Sequence, residues 1–210
     1  MKYKILLFCL VSNLILAQHK NMTKEEVKEI TSLGKQAIIE LALKKIDKKV
    51  DTSNFKSIKV MASKHDIYVS FQNPIIFVPE NSVYLYNATV YIKGQTYAQP
   101  YKNPEDIDYN SDEVQFFKYD DDVYEKIKFV IKAISKQDHV ESIDWKYYQD
   151  SNGMVIYDKG DHYYVDVAYG KFSEGAYTID KTTGVATEEY IASIEPYPGE
   201  DDIKFVEIKN

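Results

Sequence analysis

Two periods alternate along the chain. From Thr23 onward, Val27, Ile30, Gly34, Ala37, Ile38, Leu41, Ala42 and Ile46 recur at three- and four-residue spacing, which marks a helix with one buried face. Thr23 stands three residues before Glu26, the capping-box spacing that satisfies free amides at a helix start. Lys44, Lys45, Lys48 and Lys49 gather where the helix dipole is negative. The pattern predicts one amphipathic helix over 23–49. Past Asp51-Thr52-Ser53-Asn54 the period falls to two: Ile58 and Val60, then Ile67, Val69 and Phe71, then Tyr84, Tyr86, Ala88, Val90 and Ile92. These segments read as strands, interrupted by Pro74 and Pro79. Residues 97–113, rich in Pro, Asn, Asp and Tyr, hold no period and read as a surface connection. Asp120, Asp121 and Asp122 then precede Tyr124, Ile127, Val130, Ile131 and Ile134, a second amphipathic helix with acids at its positive end. Turn signals at Ser151-Asn152-Gly153, Lys159-Gly160-Asp161, Ser173-Glu174-Gly175 and Lys181-Thr182-Thr183-Gly184 divide the remainder into the short segments of a meander.

The order helix, strands, connection, helix, strands predicts an α+β protein of two tandem units, each one helix packed on an antiparallel sheet. The units are 18–96 and 120–210, joined by an acidic linker at 97–119. The alternative is one continuous sheet with two helices. A short echo favours duplication: Lys64-His65-Asp66-Ile67-Tyr68-Val69 resembles Gly160-Asp161-His162-Tyr163-Tyr164-Val165.

Composition narrows the function. With 210 residues, 44% hydrophobic and 28% charged, the chain is ordinary globular material rather than disordered, collagenous or coiled-coil. It carries 26 basic residues, every one a Lys, against 33 acidic ones, for a net charge of -7. That field repels phosphate backbones and anionic lipid, and the missing Arg removes the planar fork that grips phosphate, so nucleic acid is not an expected partner. Met1-Lys2-Tyr3-Lys4, the apolar run Ile5–Leu16 and Ala17-Gln18 follow the order of a secretory signal peptide, cleaved after Ala17. The run is too short for a retained membrane span, so an exported periplasmic or extracellular protein is expected. Cys9, the single Cys, lies inside that leader, leaving the mature chain without disulfide or thiol nucleophile.

Candidate chemistry is sparse. There is no Gly-x-Ser-x-Gly elbow, no His-Glu-x-x-His, and no phosphate-cradling loop. His19, His65, His139 and His162 are scattered and read as surface residues. Asp106-Ile107-Asp108-Tyr109-Asn110-Ser111-Asp112-Glu113 begins like a calcium loop but lacks Gly at the sixth place and has Phe117 at the twelfth, so it reads as a solvated linker. No metal or cofactor is expected. Paired carboxylates in a hydrolase form the catalytic alternative. The distinctive feature is 19 Tyr residues, a rigid amphipathic side chain suited to docking a partner from a sheet face. Tyr84, Tyr86, Tyr163, Tyr164 and Tyr169 are the candidate binding residues.

Tyr163–Gly170 followed by Ala176–Ala186 resembles the closing hairpin of PepSY-like domains, with Asp180 and Gly184 at the turn positions. NTF2-fold immunity proteins end in a similar hairpin. The resemblance implies an exported, non-catalytic module that binds or inhibits another envelope or extracellular protein, such as a peptidase, and it carries no catalytic residues. Neutralising a toxin is the immunity-protein alternative.

Overall fold

The computed structural model describes residues 21–46, 50–51, 54–137, 153–168, 173–193 and 204–209. The expected signal peptide and Cys9 lie outside them. The fold is α+β, with two five-stranded sheets and three helices among the described residues. In chain order the elements are α1 (Lys24–Thr31), α2 (Lys35–Leu43), β1 (Ser57–Ala62), β2 (Ile67–Gln72), β3 (Ile75–Val78), β4 (Ser82–Tyr91) and β5 (Thr96–Asn103). Then come α3 (Asp121–Ile134), β6 (Met154–Asp158), β7 (His162–Ala168), β8 (Ser173–Asp180), β9 (Ala186–Ser193) and β10 (Val206–Glu207).

The helix expected over 23–49 is two helices. Its start is as expected: the Glu26 amide donates to Thr23 Oγ1 at 3.2 Å and the Thr23 amide to Glu26 Oε2 at 2.9 Å. It stops after one short run because Thr31 and Ser32 turn their hydroxyls back onto the carbonyls of Lys28 and Glu29, and Gly34 then adopts φ 82°. A glycine takes that left-handed backbone without the steric cost an L side chain meets. α2 restarts behind Gly34 and lays Ile38, Ile39 and Ala42 on the first sheet. α3 forms as expected, with the Asp120 carboxylate accepting from the Val123 amide at 2.9 Å. Val123, Ile127, Val130, Ala133 and Ile134 are its buried face.

The sheets are ordered β10-β1-β2-β4-β5 and β3-β6-β7-β8-β9. Each is a four-stranded antiparallel meander that follows helices and accepts a fifth strand from the other half of the chain. β10 joins β1 antiparallel, and β3 joins β6 in parallel, with Ile75 opposite Met154 and Val78 opposite Tyr157. The single-sheet alternative therefore does not describe the fold, and sheet membership does not divide along the chain at 97–119. The first residues of that expected linker are β5, paired with β4 from Ser82–Asn103 to Val90–Thr96. Pro100 hid the strand, but β5 is the last strand of its sheet, where a missing amide is tolerated. β3 is an unbroken apolar run between two prolines, and Ile76, Phe77 and Val78 are all buried, as in a strand covered on both faces.

The sequence echo falls on matching places. Each copy begins at the turn joining the first two strands of a meander. Ile67 and Val69 in one, and Tyr163 and Val165 in the other, are buried, while Tyr68 and Tyr164 point to the other face.

The β8–β9 turn has the chemistry read from Asp180 and Gly184. Asp180 Oδ1 accepts the amides of Thr182 at 3.0 Å and Thr183 at 2.6 Å, and Gly184 sits at φ 68°. The Thr183 amide, then its hydroxyl, hold the Asp180 carboxyl below its ordinary value of 3.8. A lowered carboxyl stabilises the fold above the unfolded pKa, and that contribution disappears as pH falls through the folded value. Asp180→Ala should therefore be less stable than the parent at neutral pH, with the gap narrowing as pH falls below 3.8, as read by urea midpoints at neutral and acid pH. A gap that stays constant with pH would refute this account of the turn.

Candidate binding face

The five Tyr positions expected to meet a partner separate when placed in the fold. Tyr86 is 1% exposed, so it is a core residue and not an outward one. Pairing of β4 with β5 shifts between Leu85 and Asn87, leaving Tyr86 as the extra residue of a bulge. Its hydroxyl donates to the Phe77 carbonyl at 2.5 Å, and its ring lies 5.0 Å from Phe117 and 5.7 Å from Tyr101. Burial first, and the neighbouring phenols second, hold its hydroxyl protonated far above the ordinary range. Tyr84 is half-buried against the same core, 5.1 Å from Phe117.

Tyr163 is 5% exposed and is likewise a core residue. It alternates inward with Val165 and Val167, stands 6.1 Å from Phe77 and 6.2 Å from Phe129, and carries the Lys181 ammonium 4.5 Å over its ring. Tyr164 faces outward on the second sheet, half-buried, 6.3 Å from Tyr157. Burial raises the Tyr164 phenol, and the nearby Asp166 carboxylate raises it further. Asp166 itself is raised by burial, with Glu174 and Glu105 adding to the shift and the Tyr164 hydroxyl opposing it. Tyr169 lies outside the described residues.

A different aromatic set occupies the face of the first sheet that no described helix covers. α1 and α2 pack on one side, against Val60, Ile67, Val69, Phe71, Ala88 and Val90. On the other side Phe205, Tyr68, Tyr91 and Tyr97 form a row across the sheet, with ring centroids 4.9, 5.3 and 5.8 Å apart in turn. Register explains it: Tyr68 lies opposite Tyr91 across β2 and β4, and opposite Met61 across β1. Tyr97, at the β5 end of the row, is 51% exposed. Burial raises the phenols of Tyr68 and Tyr91; Tyr91 raises Tyr68 further, and Asp66 and Tyr97 raise Tyr91 further. Sequence reasoning passed over this row although Tyr68 alternates with Ser70 and Gln72, a polar face opposite an apolar one.

Beside the row runs a groove of 530 Å³. Ser70 and Gln72 on β2, Asn87 and Thr89 on β4, and Tyr97 and Tyr101 on β5 line it. Ser70 and Thr89 are direct cross-strand partners, as are Thr89 and Tyr97.

Elsewhere, three further cavities of 280, 220 and 440 Å³ lie around the molecule, and of all four one is lined by a carboxylate, Asp51. Among the described residues no three His, Cys, Asp or Glu side chains are placed to hold a metal ion. In the acidic run, Asn110 Oδ1 accepts the Asp112 amide at 3.2 Å, closing a local turn. No described helix is long and apolar enough to cross a membrane. Comparison with family models, with curated proteins and with solved structures found no match to this chain.

Proposed function

We propose that the protein is an exported, non-catalytic binding or inhibitory module that docks another envelope or extracellular protein, a peptidase being one candidate, on the open face of its first sheet. The observation that carries this reading is the row Phe205–Tyr68–Tyr91–Tyr97 on a face that no described helix covers. Aromatic side chains of this kind have few rotamers to lose and bury much area on binding, which is why they dominate the energetic centres of protein interfaces. The rigid sheet holds the rings in contact before any partner arrives, so the cost of ordering them is already met in folding. The leader at 1–17 and the PepSY-like closing hairpin support the export and the binding role respectively.

The mature chain from Gln18, immobilised and exposed to the envelope fraction of its own organism, should retain a stoichiometric protein. Tyr97→Ala and Tyr68→Ala should each weaken that capture at least ~10-fold, a hot-spot effect of ~1.4 kcal/mol or more. Tyr97→Ala should do so with the melting temperature nearly unchanged, because half of its side chain is in water. Capture that is equally strong in both variants, or no capture by the parent chain, refutes the reading.

A further inference from the structure

The groove beside the aromatic row has a chemistry of its own. In a chain with 28% charged residues, no Lys, His, Asp or Glu lines it among the described residues. Beside small apolar residues, its lining carries neutral side chains that both donate and accept: the hydroxyls of Ser70, Thr89 and Thr96, and the amides of Gln72 and Asn87. Ser70 is 5% exposed. Gln72 Oε1 is buried and meets no donor among the described residues. Buried polar groups in folded proteins are nearly always paired, because an orphan costs ~1–3 kcal/mol. Asn87 Oδ1 is engaged by the Asn73 amide at 3.0 Å, which fixes the side chain. Tyr97, 51% exposed, and Tyr101 also line it.

From this placement we infer that the groove formed by Ser70, Gln72, Asn87, Thr89, Tyr97 and Tyr101 binds an uncharged saccharide. A sugar hydroxyl is donor and acceptor at once, the complement of hydroxyl and amide side chains, and the apolar face of a pyranose ring suits the face of a tyrosine. An anionic or cationic ligand would find no counter-charge here. A protein surface, about a quarter charged on average, is a poorer match for so neutral a lining. The volume lies within the ~300–1,000 Å³ usual for small-ligand sites. This inference does not depend on protein docking along the aromatic row, although Tyr97 belongs to both.

The test titrates maltotetraose, cellotetraose and the tetramer of N-acetylglucosamine, all uncharged, into the mature chain, followed by calorimetry and amide NMR. At least one should bind saturably below ~10 mM, with shifts centred on β2, β4 and β5. Thr89→Val, which keeps the shape and removes the hydroxyl, and Ser70→Ala should each weaken it ~5–10-fold, the loss of about one hydrogen bond. Tyr68→Ala, outside the groove, should leave sugar affinity unchanged, which separates this site from the docking row. The inference is overturned if no tetrasaccharide saturates, if both hydroxyl deletions bind as the parent does, or if an uncharged blocked peptide shifts the groove resonances while the sugars do not.

Discussion

Replacing Tyr86 with Ala should lower the unfolding free energy by about 4 kcal/mol, within the ~3–5 kcal/mol range for removing a large buried aromatic ring. The ring is 1% exposed and touches Phe117 and Tyr101 edge-on or tilted, so little around it can collapse into the space it would leave. Its hydroxyl adds a second loss, since the Phe77 carbonyl accepts it at 2.5 Å. Tyr86→Phe isolates that part and should cost ~1–2 kcal/mol by itself. Because Tyr86 stands on β4 of the first sheet and Phe77 on β3 of the second, the residue joins the two sheets. Urea unfolding followed by far-UV circular dichroism measures both variants. A Tyr86→Ala midpoint within ~1 kcal/mol of the parent would mean that the site repacks and that the two cores are less tightly coupled than the contacts imply.

This role was not legible from residue type. Tyr86 belongs to the period-two series Tyr84, Tyr86, Ala88, Val90, and periodicity shows which residues share a face without showing which face is covered. In β4 even the sharing fails, because the bulge breaks the alternation and no local signal announces it. β7 was different. His162, Tyr164 and Asp166 alternate with Tyr163, Val165 and Val167, so the polar neighbours already marked Tyr163 as the inward residue and Tyr164 as the outward one. The same logic applied to Tyr68, between Asp66 and Ser70, would have found the aromatic row.

What local chemistry governs was read correctly. The Thr23 capping box, the acids at the start of α3 and the Asp180–Gly184 turn each depend on residues at most four apart, and each is present. What depends on distant pairing was not. β3 finds its partner β6 across a gap in sequence of about 80 residues, and β10 returns from the end of the chain to β1. Neither the apolar run Ile75–Val78 nor Val206-Glu207 says which sheet it joins. The linker expectation failed for a related reason: Pro100 disqualifies a central strand, but not the edge position that the fold gives β5.

The other expected large effect lies at Asn103, where that edge strand meets the second sheet. Asn103 is buried, and its side-chain amide donates to the carbonyls of Pro79 at 3.2 Å and Asp158 at 2.5 Å, with Val78 at 3.4 Å. Its Oδ1 accepts from the Lys159 ammonium at 2.8 Å. One side chain on β5 thus satisfies backbone groups of β3 and β6 and orients a lysine whose charge also lies 5.4 Å from the Tyr157 ring. Asn103→Ala should cost ~3 kcal/mol, because three buried or partly buried acceptors lose their donor at once. Asn103→Leu decides between volume and hydrogen bonding. It refills the space but offers the carbonyls nothing, so it should be as destabilising as Ala. Lys159→Ala, removing a partly exposed charge, should cost only ~1 kcal/mol. Recovery of parental stability in Asn103→Leu would show that packing, and not the amide, fastens β5 to the second sheet.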